Sequence, residues 1–289
     1  MESPCAALVR GRTEDQDAGA DAWAQDVRAG LFGNAGFLHG HDVVVLQEMF
    51  SDAPAGHVLG ALSEQGYKYQ TPVIGRSTDD WNATNGNYNP LLENGGVVIV
   101  STWPLVHKEQ FIYRDGHGAD WWANKGFAYV ILNVAGKRVH VVGTHTQSDD
   151  PDDQKTAREV RARQLVQLDS YLTSLSIPSA EPVVVAGDFN IDGHTEEFDD
   201  LLKNARLDRP DHRLGPPYSF DTTENDVAAY RYPKDPRQLL DHVLLRTGHT
   251  RPCATWDNTV IKTTSPSWSA QGHQFTNYSD HYPVLAGEQ

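Results

Sequence analysis

The run Val183-Val184-Val185-Ala186-Gly187-Asp188-Phe189-Asn190 constrains the fold more than any other stretch of this chain. A short apolar, β-branched run of this kind reads as a buried strand. Gly187 ends the run, and Asp188 and Asn190 follow at i and i+2. In an extended chain that spacing turns both side chains the same way. A carboxylate beside a carboxamide at the lip of a sheet is suited to holding a metal and a phosphate. An Asx-type turn that merely closes the strand is the alternative reading.

The same pattern recurs along the sequence. Asp42-Val43-Val44-Val45-Leu46-Gln47-Glu48 runs apolar and ends in a carboxylate, and His140-Val141-Val142-Gly143-Thr144-His145 ends in an imidazole. Leu239-Leu240-Asp241-His242-Val243 begins a strand with polar residues, and Asp280-His281 forms a polar corner ahead of a last strand. Gly96–Ser101 is a further buried strand, and Ala135-Gly136-Lys137 joins strands 127–134 and 138–144 as a hairpin. Helices are expected over 21–38, 54–65, 153–175 and 194–203, and a long hairpin over 255–276 with Trp268 near its tip. Many buried strands with few long helices predict two packed sheets flanked by helices.

The formal charge of -15 disfavours a passive nucleic-acid or anionic-membrane binder, which needs a basic face. It is compatible with an enzyme that meets phosphate through a divalent cation. No apolar run is long enough to cross a bilayer as a helix, so no transmembrane segment is expected. The start, Met1-Glu2-Ser3-Pro4-Cys5, has neither the basic nor the apolar region of a signal peptide. Cys5 and Cys253 lack zinc spacing; a disulfide between them is possible but not implied.

Strand-end acids, an amide and imidazoles in this mixture suit a hard cation, Mg²⁺ before Zn²⁺. Glu48 and Asp280 are candidates to hold it. His281 is a candidate to deprotonate water, and Asp241 to fix the imidazole tautomer. His145 and Asn190 are candidates to donate to phosphate oxygens as charge builds in the transition state.

The set Gln47-Glu48, Gly143-Thr144-His145, Gly187-Asp188-Phe189-Asn190, Leu240-Asp241-His242 and Ser279-Asp280-His281 resembles the endonuclease/exonuclease/phosphatase superfamily, with its DNase I-like fold. Further motifs are similar to those of the bacterial neutral sphingomyelinases. These are Trp23-Ala24-Gln25, Glu93-Asn94-Gly95-Gly96-Val97 with Trp103-Pro104, Asn124-Lys125-Gly126-Phe127, Gly143-Thr144-His145-Thr146-Gln147 and Tyr278-Ser279-Asp280-His281-Tyr282-Pro283-Val284.

The resemblance covers residue 21 to the end and implies a four-layer α/β/β/α sandwich of two mixed sheets in one domain, 21–289. It implies Mg²⁺-dependent hydrolysis of sphingomyelin to ceramide and phosphocholine, with Mn²⁺ or Co²⁺ able to substitute. Glu48 would be the metal ligand, with Asp280 tuning the metal–histidine site, His281 the general base and Asp241 its partner. Asp188, Asn190 and His145 would handle the phosphate, with Asp120 and Lys125 on the substrate side. Trp268 would sit at an aromatic hairpin tip that meets the membrane. A secreted monomer is implied, acting on sphingomyelin or phospholipid at a membrane surface and not on nucleic acid.

One departure stands out. Members of that group open with a strand that supplies an Asn to the metal site. Residues 1–20 here form an atypical polar segment in which only Ala6-Ala7-Leu8-Val9 is able to make a short strand; no strand matching the Asn-bearing one is expected, and Glu14, Asp15 and Asp17 are the acids that could approach the metal in its place. The cysteine pair of some relatives after the histidine strand is also absent, so no disulfide is expected. The competing readings are a phospholipase C on glycerophospholipids, a nuclease, and a lipid-surface binding protein with an impaired metal site.

Overall fold

The computed structural model describes residues 7–10 and 23–287. The first strands are β1 (Ala7–Arg10), β2 (Val43–Leu46), β3 (Tyr69–Gln70), β4 (Ala83–Gly86), β5 (Val98–Ser101) and β6 (Leu105–Ile112). Then come β7 (Gly126–Val134), β8 (Lys137–His145), β9 (Val183–Asp188), β10 (Leu207–Asp208) and β11 (Arg213–Leu214). The last are β12 (Asp241–Arg246), β13 (Asp257–Val260), β14 (Trp268–Ala270), β15 (His273–Phe275) and β16 (Val284–Gly287). One seven-stranded sheet has the order β11-β13-β16-β1-β2-β5-β3, and a second has the order β10-β12-β9-β8-β7-β6-β4. Both mix parallel and antiparallel pairs.

Alternation along the strands builds the layers. Val43 and Val45 of β2 face Val184 and Ala186 of β9 in a core between the sheets. Their neighbours Val44 and Leu46 point outward, under helices α1 (Gln25–Gly33) and α2 (Asp52–Glu64). Val183 and Val185 point to the opposite outside, under α3 (Gln154–Ser174) and α4 (Glu196–Ala205). Runs that are apolar at every position are therefore strands covered on both faces. The order is helix, sheet, sheet, helix, as the sequence implies. Asp153 caps α3 by accepting from the Thr156 amide at 3.1 Å. The β7–β8 hairpin turns through Ala135 and Gly136, both at positive φ.

Three expectations are corrected here. A first strand does exist: β1 runs parallel to β2 and antiparallel to β16, in the middle of its sheet. It overlaps the Ala6-Ala7-Leu8-Val9 stretch that the sequence allowed as a short strand, and its neighbours supply the pairing. Glu14, Asp15 and Asp17 lie outside the described residues. The stretch 255–276 is not one hairpin. β13 joins the large sheet, while β14 and β15 form a separate two-stranded unit. Cys253 is disulfide-bonded. It precedes β13, which lies two strands from β1 in the same sheet. Cys5 itself lies outside the described residues. Among the described residues, no helix is long and apolar enough to cross a membrane.

Candidate active site

Three adjacent strands deliver the site. His145 is the last residue of β8, Asp188 the last of β9 and Asp241 the first of β12. They pair side by side in register, His145 with Asp188 and Asp188 with Asp241. Gly187 is required just before Asp188, since a Cβ there would lie 2.0 Å from the Thr144 carbonyl oxygen. The fourth member comes from the other sheet: His281 precedes β16 and reaches across to Asp241.

His281 Nδ1 lies 2.8 Å from Asp241 Oδ2, and both residues are buried. Burial alone would lower the imidazole pKa. The charge and hydrogen bond of Asp241, with Asp188 and Asp280 nearby, outweigh it and raise the pKa to about 9. His145 Nε2 stands 3.8 Å from Asp188 Oδ2. The Asn190 amide donates to Asp188 Oδ1 at 2.8 Å, so part of the pair is the Asx turn that the spacing allowed. Asn190 is nonetheless held at φ 49, and its Nδ2 donates to the Thr146 carbonyl at 3.1 Å. Lys125 Nζ completes the group. It donates to Asp120 Oδ2 at 2.8 Å and to the Thr146 carbonyl at 3.0 Å, and lies 3.3 Å from His145 Nε2. Asp120, Lys125, His145, Asp188, Asp241 and His281 thus form one continuous polar chain.

The buried oxygen donors here suit a neighbourhood that holds a hard cation. Asp188, Asp241 and His281 offer ligand atoms within 4.8 Å of one another, all buried. Asp241 Oδ1 is buried without a hydrogen-bond partner, a state that oxygen-binding cations relieve. Glu48 and Asp280 are outside that trio. Glu48 is buried just past β2 at φ 58, an unusual conformation for a Glu. Its segment is held by Gly96, whose carbonyl accepts from the Met49 amide at 2.8 Å. A Cβ on Gly96 would lie 2.9 Å from Glu48 Cα, and one on Gly95 would lie 2.2 Å from the Asn124 carbonyl oxygen, which together account for the paired glycines of the Glu93–Val97 motif. Asp280, the other candidate ligand, is engaged at both carboxylate oxygens. Arg231 Nη1 lies 3.2 Å from Asp280 Oδ2, and Ser279 Oγ donates to Asp280 Oδ1 at 3.1 Å.

Trp268 is not at a membrane-facing tip. It is 3% exposed, its Nε1 donates to the Asn277 carbonyl at 2.8 Å, and its ring packs on Phe275 and beneath the Arg28 guanidinium. The turn of that hairpin is Gln271-Gly272. Sequence reasoning missed two supports. Arg231 sits over the Trp23 and Tyr232 rings while it engages Asp280. Ser219 Oγ accepts from the Leu240 and Asp241 amides while its carbonyl accepts from the Tyr282 amide. That residue ties the two halves of the His–Asp pair together, and no local signal in the sequence marks it.

Residues 9–281 match the Endonuclease/Exonuclease/phosphatase family. The chain belongs to that family. It is 40% identical over 269 residues to a sphingomyelinase C of Listeria ivanovii, covering 91% of this chain and 80% of the relative. The crystal structure of sphingomyelinase C from Streptomyces griseocarneus superposes with a TM-score of 0.94 at 48% identity, over 99% of both chains. A beta toxin mutant from Staphylococcus aureus with bound magnesium ions superposes with a TM-score of 0.95 at 32% identity, over 99% of this chain and 100% of that one. The fold is therefore DNase I-like.

Proposed function

We propose that this protein is a divalent-cation-dependent phosphodiesterase that hydrolyses sphingomyelin to ceramide and phosphocholine. The observation that carries this reading is the buried His281–Asp241 pair beside Asp188, in a chain similar over nearly its whole length to sphingomyelinases C.

Asp241 holds the Nδ1 proton of His281, which leaves Nε2 to take a proton from the attacking water. The new bond joins the water oxygen to phosphorus, and the bond from phosphorus to the ceramide oxygen breaks; the departing oxygen takes up a proton from solvent and His281 returns its own to solvent. Lys125, His145 and Asn190 surround the place where phosphoryl charge develops, and their donors favour the transition state over the ground state. Asp120 fixes the Lys125 ammonium and also accepts from the Ser148 amide and hydroxyl. Glu48 is the proposed cation ligand; His281 and Asp241, whose ligand atoms cluster with Asp188, are assigned to proton transfer and not to the cation. Asp280, engaged by Arg231 and Ser279, adds negative charge beside His281 and tunes the metal–histidine site. Mg²⁺, or Mn²⁺ or Co²⁺ in its place, would supply positive charge that balances the substrate phosphate. A secreted monomer acting at a lipid surface completes the reading.

The test is phosphocholine release from sphingomyelin vesicles with Mg²⁺, with EDTA, and after Mg²⁺ is restored. The expected result is loss in EDTA and recovery on addition of the metal. Turnover that ignores EDTA overturns the cation assignment, and release from phosphatidylcholine but not sphingomyelin overturns the substrate.

A further inference from the structure

Trp268 leaves the role of membrane contact unfilled, and another surface has the chemistry for it. Trp121 is 56% exposed and Trp122 is 68% exposed. Leu91, on the neighbouring loop, is 90% exposed. Among the described residues, the other exposed large apolar side chains stand singly, one to an element: Val27, Tyr69, Val106, Val166, Leu214 and Tyr230.

The two loops are laced into one rim. The Glu93 amide donates to the Trp122 carbonyl at 3.0 Å, and the Asn124 amide donates to the Glu93 carbonyl at 2.8 Å. The buried Asn124 side chain accepts from the Asn89 amide at 3.0 Å and donates to the Asn89 carbonyl at 2.9 Å. The apolar tips are thus mounted on a fixed base, which spares the ordering cost that a loose loop meets on binding. The rim is also continuous with the catalytic cleft. Trp121 follows Asp120, whose carboxylate holds the Lys125 that reaches His145. A cavity of about 200 Å³ is lined by Trp121 and Trp122 together with Tyr113, Asp120 and Lys125.

We propose that Trp121, Trp122 and Leu91 form the surface that enters a sphingomyelin-containing bilayer and sets the cleft over the lipid headgroup. The inference rests on the reading of the substrate as a bilayer lipid. An indole, apolar with one polar N–H, is suited to the headgroup boundary. The charge of -15 gives no general attraction to anionic membranes, and a choline-lipid surface is zwitterionic. Apolar insertion is the mode of attachment that both facts favour.

The experiment combines Trp121→Ala with Trp122→Ala. Binding is read by flotation with sphingomyelin–cholesterol vesicles in a His281→Ala background, so that the vesicles are not consumed. Turnover is read in the otherwise unaltered protein, on vesicles and on a short-chain sphingomyelin below its critical micelle concentration. The expected result is a loss of about tenfold or more in vesicle partition and in kcat/KM on vesicles, with the soluble substrate within about twofold. Trp121→Phe with Trp122→Phe should restore most of the binding. Vesicle partition unchanged within about threefold, or equal losses on both substrates, overturns the proposal. An inactive parent would count against the functional reading, while flotation would still decide this one.

Discussion

Asp241→Asn isolates the charge that sets the basicity of His281. The carboxylate sits 2.8 Å from Nδ1 with both groups buried, and the imidazole is raised from 6.5 to about 9 despite its desolvation. At 1.36 kcal/mol per pKa unit, that is about 3 kcal/mol in favour of the imidazolium that forms as water is deprotonated. Asn is close in size but carries no charge, so most of this stabilisation is lost. Converted through transition-state theory, kcat should fall on the order of 10²–10³-fold. The assay is phosphocholine release from sphingomyelin vesicles across pH, with the fold checked by circular dichroism. The base works as the neutral imidazole, so activity rises as pH climbs through its pKa. Without Asp241 that pKa drops, and the acid limb should move to lower pH while the plateau falls. A bound cation lowers the limb in both proteins, so the difference between them is the readout. A plateau within about tenfold of the parent, with the limb unmoved, would refute the reasoning.

Three further outcomes are expected. Burial holds His242 at about 4, below its unfolded value of 6.5, so its contribution is complete above pH 6.5 and is lost as pH falls toward 4. Urea unfolding should show a pH-dependent loss of about 3 kcal/mol that His242→Gln reduces; equal losses in both proteins would oppose this. Gly187→Ala should cost about 1–3 kcal/mol in thermal unfolding and displace Asp188, because the new Cβ meets the Thr144 carbonyl; an unchanged Tm and kcat would contradict the close approach. Trp268→Ala should cost about 3–5 kcal/mol, since the ring is enclosed by Phe275 and Arg28; a selective loss of vesicle binding at full stability would return this residue to the surface.

The two sheets were legible because their strands carry their own signal. Val43–Leu46 and Val183–Ala186 are apolar at every position, and a strand covered on both faces must be. The grouping of His145, Asp188, Asp241 and His281 was legible too, since side chains at strand ends converge wherever the strands pair in register. What stayed hidden depended on partners from elsewhere in the chain. The central place of β1 in its sheet is set by β2 and β16, which pair with it on either side. Trp268 is buried because Arg28 and Phe275 close over it, and periodicity says nothing of that. Arg231 matters only because α5 (Asp226–Arg231) ends beside Asp280.

His281 belongs to the segment leading into one sheet and Asp241 to a strand of the other. Their hydrogen bond is therefore a caliper across the sandwich, closed only when both sheets lie in the correct mutual alignment. A small slide of one sheet over the other would leave every ladder intact and still separate proton acceptor from orienting acid. Turnover should then fail earlier on a heating ramp than far-ultraviolet circular dichroism, and that gap in temperature would measure how firmly the apolar layer between Val45 and Val184 resists shear.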